Sequence, residues 1–197
     1  MSSSNARFVT SCSDPAQMPP SELPHIALLG RSNAGKSSLI NALTGVKGLA
    51  KTSATPGRTR LINLFDVGGR YYLVDLPGYG YAKGSHKERD QLFSLVDGYL
   101  DATSTLYLAI VIVDSRLGPT ESDKEMIDFL QSQNIPLVLI ANKIDKLSRT
   151  EQSLVMRTMK DAYPHITIIA HSAVSGAGKG ELMEAIDAVL RKEKKTT

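Results

Sequence analysis

The chain has 197 residues, 42% of them hydrophobic and 22% charged, a composition suited to one buried core and unlike that of a disordered or disulfide-stapled chain. Lysine and arginine number 23 against 20 acidic residues, a net charge of +3, and the longest purely apolar run, residues 106–113, is too short to cross a bilayer, which excludes a membrane-spanning helix. A single cysteine, Cys12, and a Ser- and Pro-rich start with neither basic nor apolar stretch predict no disulfide, no secretory signal and a cytoplasmic, monomeric protein.

Residues 1–22 are polar and carry several prolines, so they are expected to be a partly mobile lead-in to a single domain spanning 23–197. The apolar run HIALLG, 25–30, predicts a strand that meets a glycine-rich turn and then a short helix, SSLINALTG, ending at Gly45. RLINLFDV (60–67) and RYYLVDL (70–76) flank Gly68-Gly69, which predicts an antiparallel hairpin with a two-residue turn. Residues 88–101 place Leu92, Leu95, Val96, Tyr99 and Leu100 on one helical face, and residues 105–114 read as a strand buried on both sides. A helix near Thr120 to Ser132 follows, then the strand PLVLIAN (136–142) and a helix opened by Ser148 with Glu151 three residues on, a capping box. A last strand, ITIIA (166–170), leads into a helix aligning Leu182, Ile186, Val189 and Leu190. Strands alternating with helices predict an α/β fold: six strands, mostly parallel, one antiparallel edge hairpin, helices on both faces. In such sheets ligands bind outside the carboxyl ends of the strands.

Gly30-Arg31-Ser32-Asn33-Ala34-Gly35-Lys36-Ser37 matches G-x-x-x-x-G-K-[ST] between a predicted strand and a predicted helix. The string arises by chance in only roughly one chain in a hundred of this length. Its glycines let backbone N–H groups surround an anion at a helix N-terminus. Lys36 is placed to reach the β- and γ-phosphates and the Ser37 hydroxyl to ligate Mg²⁺. Gly176-Ala177-Gly178-Lys179-Gly180 looks similar, but Ala173 stands where the first glycine belongs and no Ser or Thr follows the lysine; it reads as a turn entering the last helix. D-x-x-G occurs at Asp66 and at Asp75. The first serves the hairpin turn; the second follows a buried strand, where Asp75 can hold the Mg²⁺ hydration shell and the Gly78 amide can sense a γ-phosphate.

Asn142-Lys143-Ile144-Asp145 also follows an apolar strand and selects a base. Guanine offers two adjacent donors, N1–H and the 2-amino group, and the Asp145 carboxylate accepts both, whereas adenine lacks the amino group. Asn142 braces the loop and contacts the base edge, the Lys143 stem covers the ring, and the turn Ser172-Ala173-Val174 offers the Ala173 amide to guanine O6. Between the phosphate loop and Asp75, residues 52–59 form a polar loop able to order around Mg²⁺ and a γ-phosphate, with Thr59 as second hydroxyl ligand and Thr55 as the alternative.

GRSNAGKSS, TPGRT, DLPGYGYA, NKIDKL and the SAVSG turn together resemble the EngB/YihA branch of the Era-like P-loop GTPases over about residues 23–190. The resemblance implies a P-loop GTPase domain that binds and hydrolyses GTP and assists assembly of the large ribosomal subunit, with a family association to cell division and septation. It implies Mg²⁺ at Ser37 and Thr59, and nucleotide contacts along Gly30 to Ser37, along Gly57, Arg58, Thr59, Arg60 and Leu61, and along Asp75, Leu76, Pro77 and Gly78. Guanine contacts fall on Asn142, Lys143, Ile144 and Asp145 and on the turn of Ser172, Ala173 and Val174. Asn142 stands where many members have Thr.

The glutamine that orients the attacking water after D-x-x-G in many GTPases is here Tyr79. A phenol cannot accept and donate in the same geometry, which predicts slow hydrolysis of GTP to GDP and phosphate, stabilised by Lys36, Mg²⁺, Thr59 and the Gly78 amide. By similarity to Era-type enzymes with an asparagine at the Asn33 position, K⁺ is a candidate second cation. Between Lys47 and Arg89 eight basic residues face three acidic ones, giving that segment +5 and the rest of the chain −2. A solvated basic face is one reading of this charge; the other, which with the resemblance implies ribosomal RNA, is a contact controlled by nucleotide state through Lys51, Arg58, Arg60, Lys83, Lys87 and Arg89. The alternatives are a non-hydrolysing, GTP-gated module that binds RNA or protein, and a nucleotide kinase, which has no use for Asn142 to Asp145.

Overall fold

The structure, a computed structural model, describes residues 5–51, 61–79 and 86–193, with the backbone alone at 86–89 and 192–193. Seven strands, β1 (Ala6–Cys12), β2 (His25–Gly30), β3 (Ile62–Val67), β4 (Tyr71–Asp75), β5 (Leu106–Asp114), β6 (Leu137–Asn142) and β7 (Thr167–Ala170), form one sheet in the order β1-β3-β4-β2-β5-β6-β7. Among the described residues the five α-helices are α1 (Lys36–Thr44), α2 (His86–Ala102), α3 (Glu121–Ser132), α4 (Arg149–Ala162) and α5 (Lys179–Glu193). β4, β2, β5, β6 and β7 run parallel, while β3 is antiparallel to both its neighbours.

Period-two alternation along β5 explains the layering. Ala109, Val111 and Val113 face one core with Val96 and Tyr99 of α2, Met126, Ile127 and Leu130 of α3, and Met159 of α4. Leu108, Ile110 and Ile112 face the other, with Leu39, Ile40 and Leu43 of α1 and Leu182, Ile186 and Leu190 of α5. Residues 108–113 are at most 2% exposed, and burying each such Val, Leu or Ile side chain contributes about 1.5–3 kcal/mol. The sheet is thus covered on both faces, as expected, and its polar strand-end residues collect along one edge. No helix among the described residues is long and apolar enough to cross a membrane.

Two details depart from the sequence reading. The sheet has seven strands rather than six, because β1 forms inside the stretch expected to be a mobile lead-in, and the hairpin therefore does not lie at the edge. β1 is mostly exposed and carries a register shift between Phe8 and Thr10, so no apolar alternation announces it. It is held by its pairing to β3, by the Arg7 guanidinium donating to Asp66 at 3.1 Å and by an edge-on contact of Phe8 with Phe65. Only Cys12 at its end is buried. The β3–β4 turn leaves three residues, 68–70, outside the ladder rather than two. Gly68 and Gly69 both take the left-handed φ such a turn needs, +62° and +65°, closed by Arg70 N–H donating to the Val67 carbonyl at 3.2 Å.

The helix starts follow their sequences. Ser148 and Glu151 form the expected capping box, with Ser148 N–H donating to Glu151 at 2.7 Å. Thr120 and Asp123 form a second one at α3, with Thr120 N–H donating to Asp123 at 2.8 Å.

Candidate functional site

Gly30, Asp75, Asp114, Asn142 and His171 all lie at or just past the carboxyl ends of their strands, and the described segments among those expected to bind nucleotide meet there. The phosphate loop leaves β2 and enters α1, whose first turn begins at Lys36. Asn33 takes a left-handed φ of +64° and Gly35 one of +109°, conformations that aim successive N–H groups to one side. A Cβ on Gly35 would collide with the Asn142 carboxamide nitrogen, so glycine is needed there for space as well as for backbone conformation.

The D-x-x-G segment lies directly on this loop. Arg31 and Tyr79 form a parallel bridge, with Ser32 N–H donating to the Tyr79 carbonyl at 3.0 Å. A Cβ on Gly78 would sit 3.0 Å from Ser32 N and 3.1 Å from Lys36 Nζ. Leu76 is buried in the core and Pro77 links it to Gly78. Beneath them Lys36 reaches the Gly30 carbonyl at 3.5 Å. Burial pushes the Lys36 pKa down against the pull of Asp75, and pushes the Asp75 pKa up against Lys36 and a hydrogen bond from Asn63. Both groups are thereby drawn toward their neutral forms, and one Asp75 oxygen is buried with no hydrogen-bond partner. That orphaned oxygen beside the Lys36 ammonium fits the hydration shell of a Mg²⁺ ion carried by a phosphate. Among the described residues no group of three or more His, Cys, Asp or Glu could hold a metal.

The Tyr79 side chain does not stand open to the site. It is 5% exposed in the core with Val96, Tyr99 and Met126, and burial followed by the neighbouring Asp123 carboxylate pushes its pKa well above the ordinary phenol value.

At the other end of the site, the Asn142 carboxamide donates to the Ala34 carbonyl at 2.8 Å, which ties it to the phosphate loop. Lys143, with φ +61°, stretches across the same loop: its ammonium donates to the Asn33 carbonyl at 2.6 Å and to Asp114 at 2.8 Å. Ile144 is buried, and its N–H donates to the His171 carbonyl at 3.1 Å. Asp145 lies exposed beside the turn after β7. A hydrogen bond from Ser172 leads the influences that lower its pKa, against slight desolvation. The buried Ser172 hydroxyl oxygen accepts N–H groups of Val174 and Ser175, each at 3.1 Å, which shapes the turn carrying exposed Ala173 and Val174.

Three supporting residues escaped the sequence reading. Burial alone would raise the pKa of Asp114, yet hydrogen bonds from Arg116 and Lys143 hold its carboxyl well below the usual range; it ends an apolar strand just as Asp75 does, which was its available signal. His171 accompanies Asn142 (Nδ1 to Oδ1, 2.8 Å) and is marked only by preceding Ser172. Asn63 supports Asp75 with no sequence signal. Gly57, Arg58, Thr59, Arg60, the alternative Thr55, and Lys83 lie outside the described residues, as do the side chains of Lys87 and Arg89. Leu61 is half-buried just before β3 and Lys51 is exposed. Gly176 to Gly178 form the turn into α5, with the Lys179 ammonium donating to the Ala42 carbonyl.

This sheet order, with a phosphate loop under a D-x-x-G turn and the segment of Asn142 to Asp145 braced against it, defines a P-loop GTPase domain. The family profile described as "50S ribosome-binding GTPase" matches residues 25–143. "Probable GTP-binding protein EngB" of Desulforamulus reducens is 43% identical over 192 residues, covering 95% of this chain and 94% of the relative. The protein so described in Pelotomaculum thermopropionicum is 45% identical, covering 92% and 93%. A crystal structure of a probable GTP-binding protein engB superposes with a TM-score of 0.68 at 23% identity, covering 85% of this chain and 99% of that one. Era in complex with MgGDPNP and nucleotides of 16S ribosomal RNA gives 0.61 at 24%, covering 86% and 56%. The chain belongs to the 50S ribosome-binding GTPase family, as an EngB-type GTP-binding protein.

Proposed function

We propose that this protein binds GTP with Mg²⁺, hydrolyses it slowly to GDP and phosphate, and serves in the cytoplasm as a nucleotide-switched assembly factor for the large ribosomal subunit. The observation carrying this reading is the pair of bonds that fasten the base-recognition segment to the phosphate loop, Asn142 to Ala34 and Lys143 to Asn33. They support a reading in which Asp145 is a guanine-selective carboxylate on a segment tied to a phosphate cradle. Lys36 and Asp75, both drawn toward neutrality by burial, are complemented by what a bound nucleotide brings: negative phosphate beside the ammonium, hydrated cation beside the carboxylate. Mg²⁺, held by Ser37 and Thr59, supplies neutralisation of charge on the β- and γ-phosphates. Backbone N–H groups of residues 33–36, the Gly78 amide and Lys36 orient and stabilise the phosphates for in-line attack by water.

The decisive experiment is Asp145→Asn. It exchanges a double acceptor for a group that also donates, and is expected to weaken GTP binding by at least a hundredfold while favouring xanthosine nucleotides; unchanged GTP binding refutes the base assignment. The assembly role is supported by the family description and by the +5 segment. Co-sedimentation with separated ribosomal subunits tests it: preference for the large subunit with a GTP analogue over GDP is expected, and equal affinity counts against a switch. The family association with septation predicts that depletion gives filamentous cells together with a large-subunit deficit.

A non-hydrolysing, GTP-gated binding module is the second reading, favoured by the inward burial of Tyr79, which leaves that position without a side chain to orient water. Multiple-turnover phosphate release, with and without ribosomal subunits, separates the two. K⁺ beside Asn33 is the proposed source of added positive charge, and equal turnover in K⁺ and Na⁺ removes it.

A further inference from the structure

His171 is fully buried and directly follows β7. Its backbone is fixed on both sides: its N–H donates to the Ala141 carbonyl at 2.9 Å, and its carbonyl accepts from Ile144 N–H at 3.1 Å. Its ring meets the carboxamide of Asn142, itself 2% exposed, with Nδ1 2.8 Å from Oδ1.

The donors and acceptors leave one protonation pattern. The Ala34 carbonyl only accepts, so the carboxamide end 2.8 Å from it must be the nitrogen. The oxygen then faces His171, and an oxygen cannot donate, so Nδ1 must carry the ring proton. Nε2 is left as a lone pair, buried and without a partner among the described residues. A proton there would put an unsolvated charge in the interior, and burial lowers the pKa of this histidine against the pull of Asp145.

We propose that His171 is a positioning residue for nucleotide binding: its Nδ1–H holds the Asn142 carboxamide in the orientation that closes the base-recognition segment onto the phosphate loop. The ring acts through Asn142 and touches no ligand. Without that donor, the Asn142 oxygen is buried unsatisfied and its amide is free to rotate away from Ala34, loosening the link between the two ends of the site. The inference rests on the guanine-nucleotide reading above.

The test uses the full-length protein and GDP. Asparagine places a side-chain nitrogen near the position of Nδ1, whereas leucine fills the space with no donor and glutamine carries its amide one atom further out. His171→Leu is expected to weaken GDP binding roughly ten- to a hundredfold, the range expected when a buried hydrogen-bonding group is left unpaired. His171→Asn is expected to stay within about threefold of the parent, and His171→Gln to resemble leucine. In an Asn142→Ala background, His171→Leu should add less than about twofold, since the group it acts through is gone. Nitrogen-15 NMR of the parent at neutral pH should show a protonated Nδ1 and an unprotonated Nε2. An Nε2–H tautomer, a leucine variant binding GDP like the parent, or full additivity with Asn142→Ala overturns the proposal. If the parent itself does not prefer GDP to ADP, the guanine reading fails first; if it does and His171→Leu is silent, this inference alone fails.

Discussion

Replacing Gly35 by alanine tests how tightly the two ends of the site are joined. Gly35 combines a φ of +109° with a Cβ position already occupied by the Asn142 carboxamide. The left-handed conformation costs an L-residue roughly 1–2 kcal/mol. Displacing Asn142 from the Ala34 carbonyl forfeits a hydrogen bond and leaves buried polar groups unsatisfied, about 1–3 kcal/mol more. The total, about 2–5 kcal/mol, is divided between the folded state and the bound state. Gly48 supplies the control: its φ is +73°, but nothing lies within 4 Å of the added Cβ, so Gly48→Ala carries the conformational part alone. At roughly 2–4 °C per kcal/mol for a chain of this size, Gly48→Ala should lower Tm by a few degrees and leave GDP affinity unchanged. Gly35→Ala should lower it further or weaken GDP binding at least tenfold, read by thermal melts and fluorescent-nucleotide titration. If the two variants are indistinguishable in both assays, the collision with Asn142 does not govern Gly35 and the proposed linkage is wrong.

Asp114→Asn removes the charge that holds Lys143 and Arg116 and should weaken GDP binding about three- to tenfold, a modest loss because the ammonium is part-exposed. Because the folded-state pKa of Asp114 is depressed, its contribution to stability is complete above the unfolded carboxyl value of about 4 and lost as pH falls toward the lower folded value. The Tm gap between parent and variant should thus be constant above pH 5 and shrink below pH 4; a gap that widens in acid contradicts the assignment. Tyr79→Phe should leave GTP turnover within twofold, since the phenol lies in the core beside Asp123, and a tenfold fall in kcat would place the hydroxyl at the reacting water instead. Deleting residues 1–12 removes β1 and uncovers β3, and should lower Tm by about 5–10 °C and promote aggregation through the bared edge; an unchanged melt would mean that the strand contributes nothing to the sheet.

Charge told less than its count suggested. Of the basic residues between Lys47 and Arg89, Arg70 is taken up by Asp187 at 2.9 Å and lies 6.0 Å over the Tyr71 ring, while Lys51 is exposed. A tally of charge along a chain is local bookkeeping; whether a guanidinium is free to meet phosphate depends on a partner 117 positions away.

Sequence alone was enough for several features governed by neighbours in the chain. The glycines and lysine of the phosphate loop, the two-sided burial of β5 and the Ser148–Glu151 cap each depend on a handful of consecutive residues whose conformational preferences agree. Tertiary structure decided the rest. β1 forms only because β3 offers an open edge to a strand with no apolar alternation of its own. Tyr79 is buried because it joins the core that Val96 and Tyr99 of α2 and Met126 of α3 also build. Asp114 and His171 acquire roles only when strands distant in the chain end side by side, and a hydrogen bond between residues 29 positions apart has no local signature, because its partner's position is set by the packing of the whole sheet.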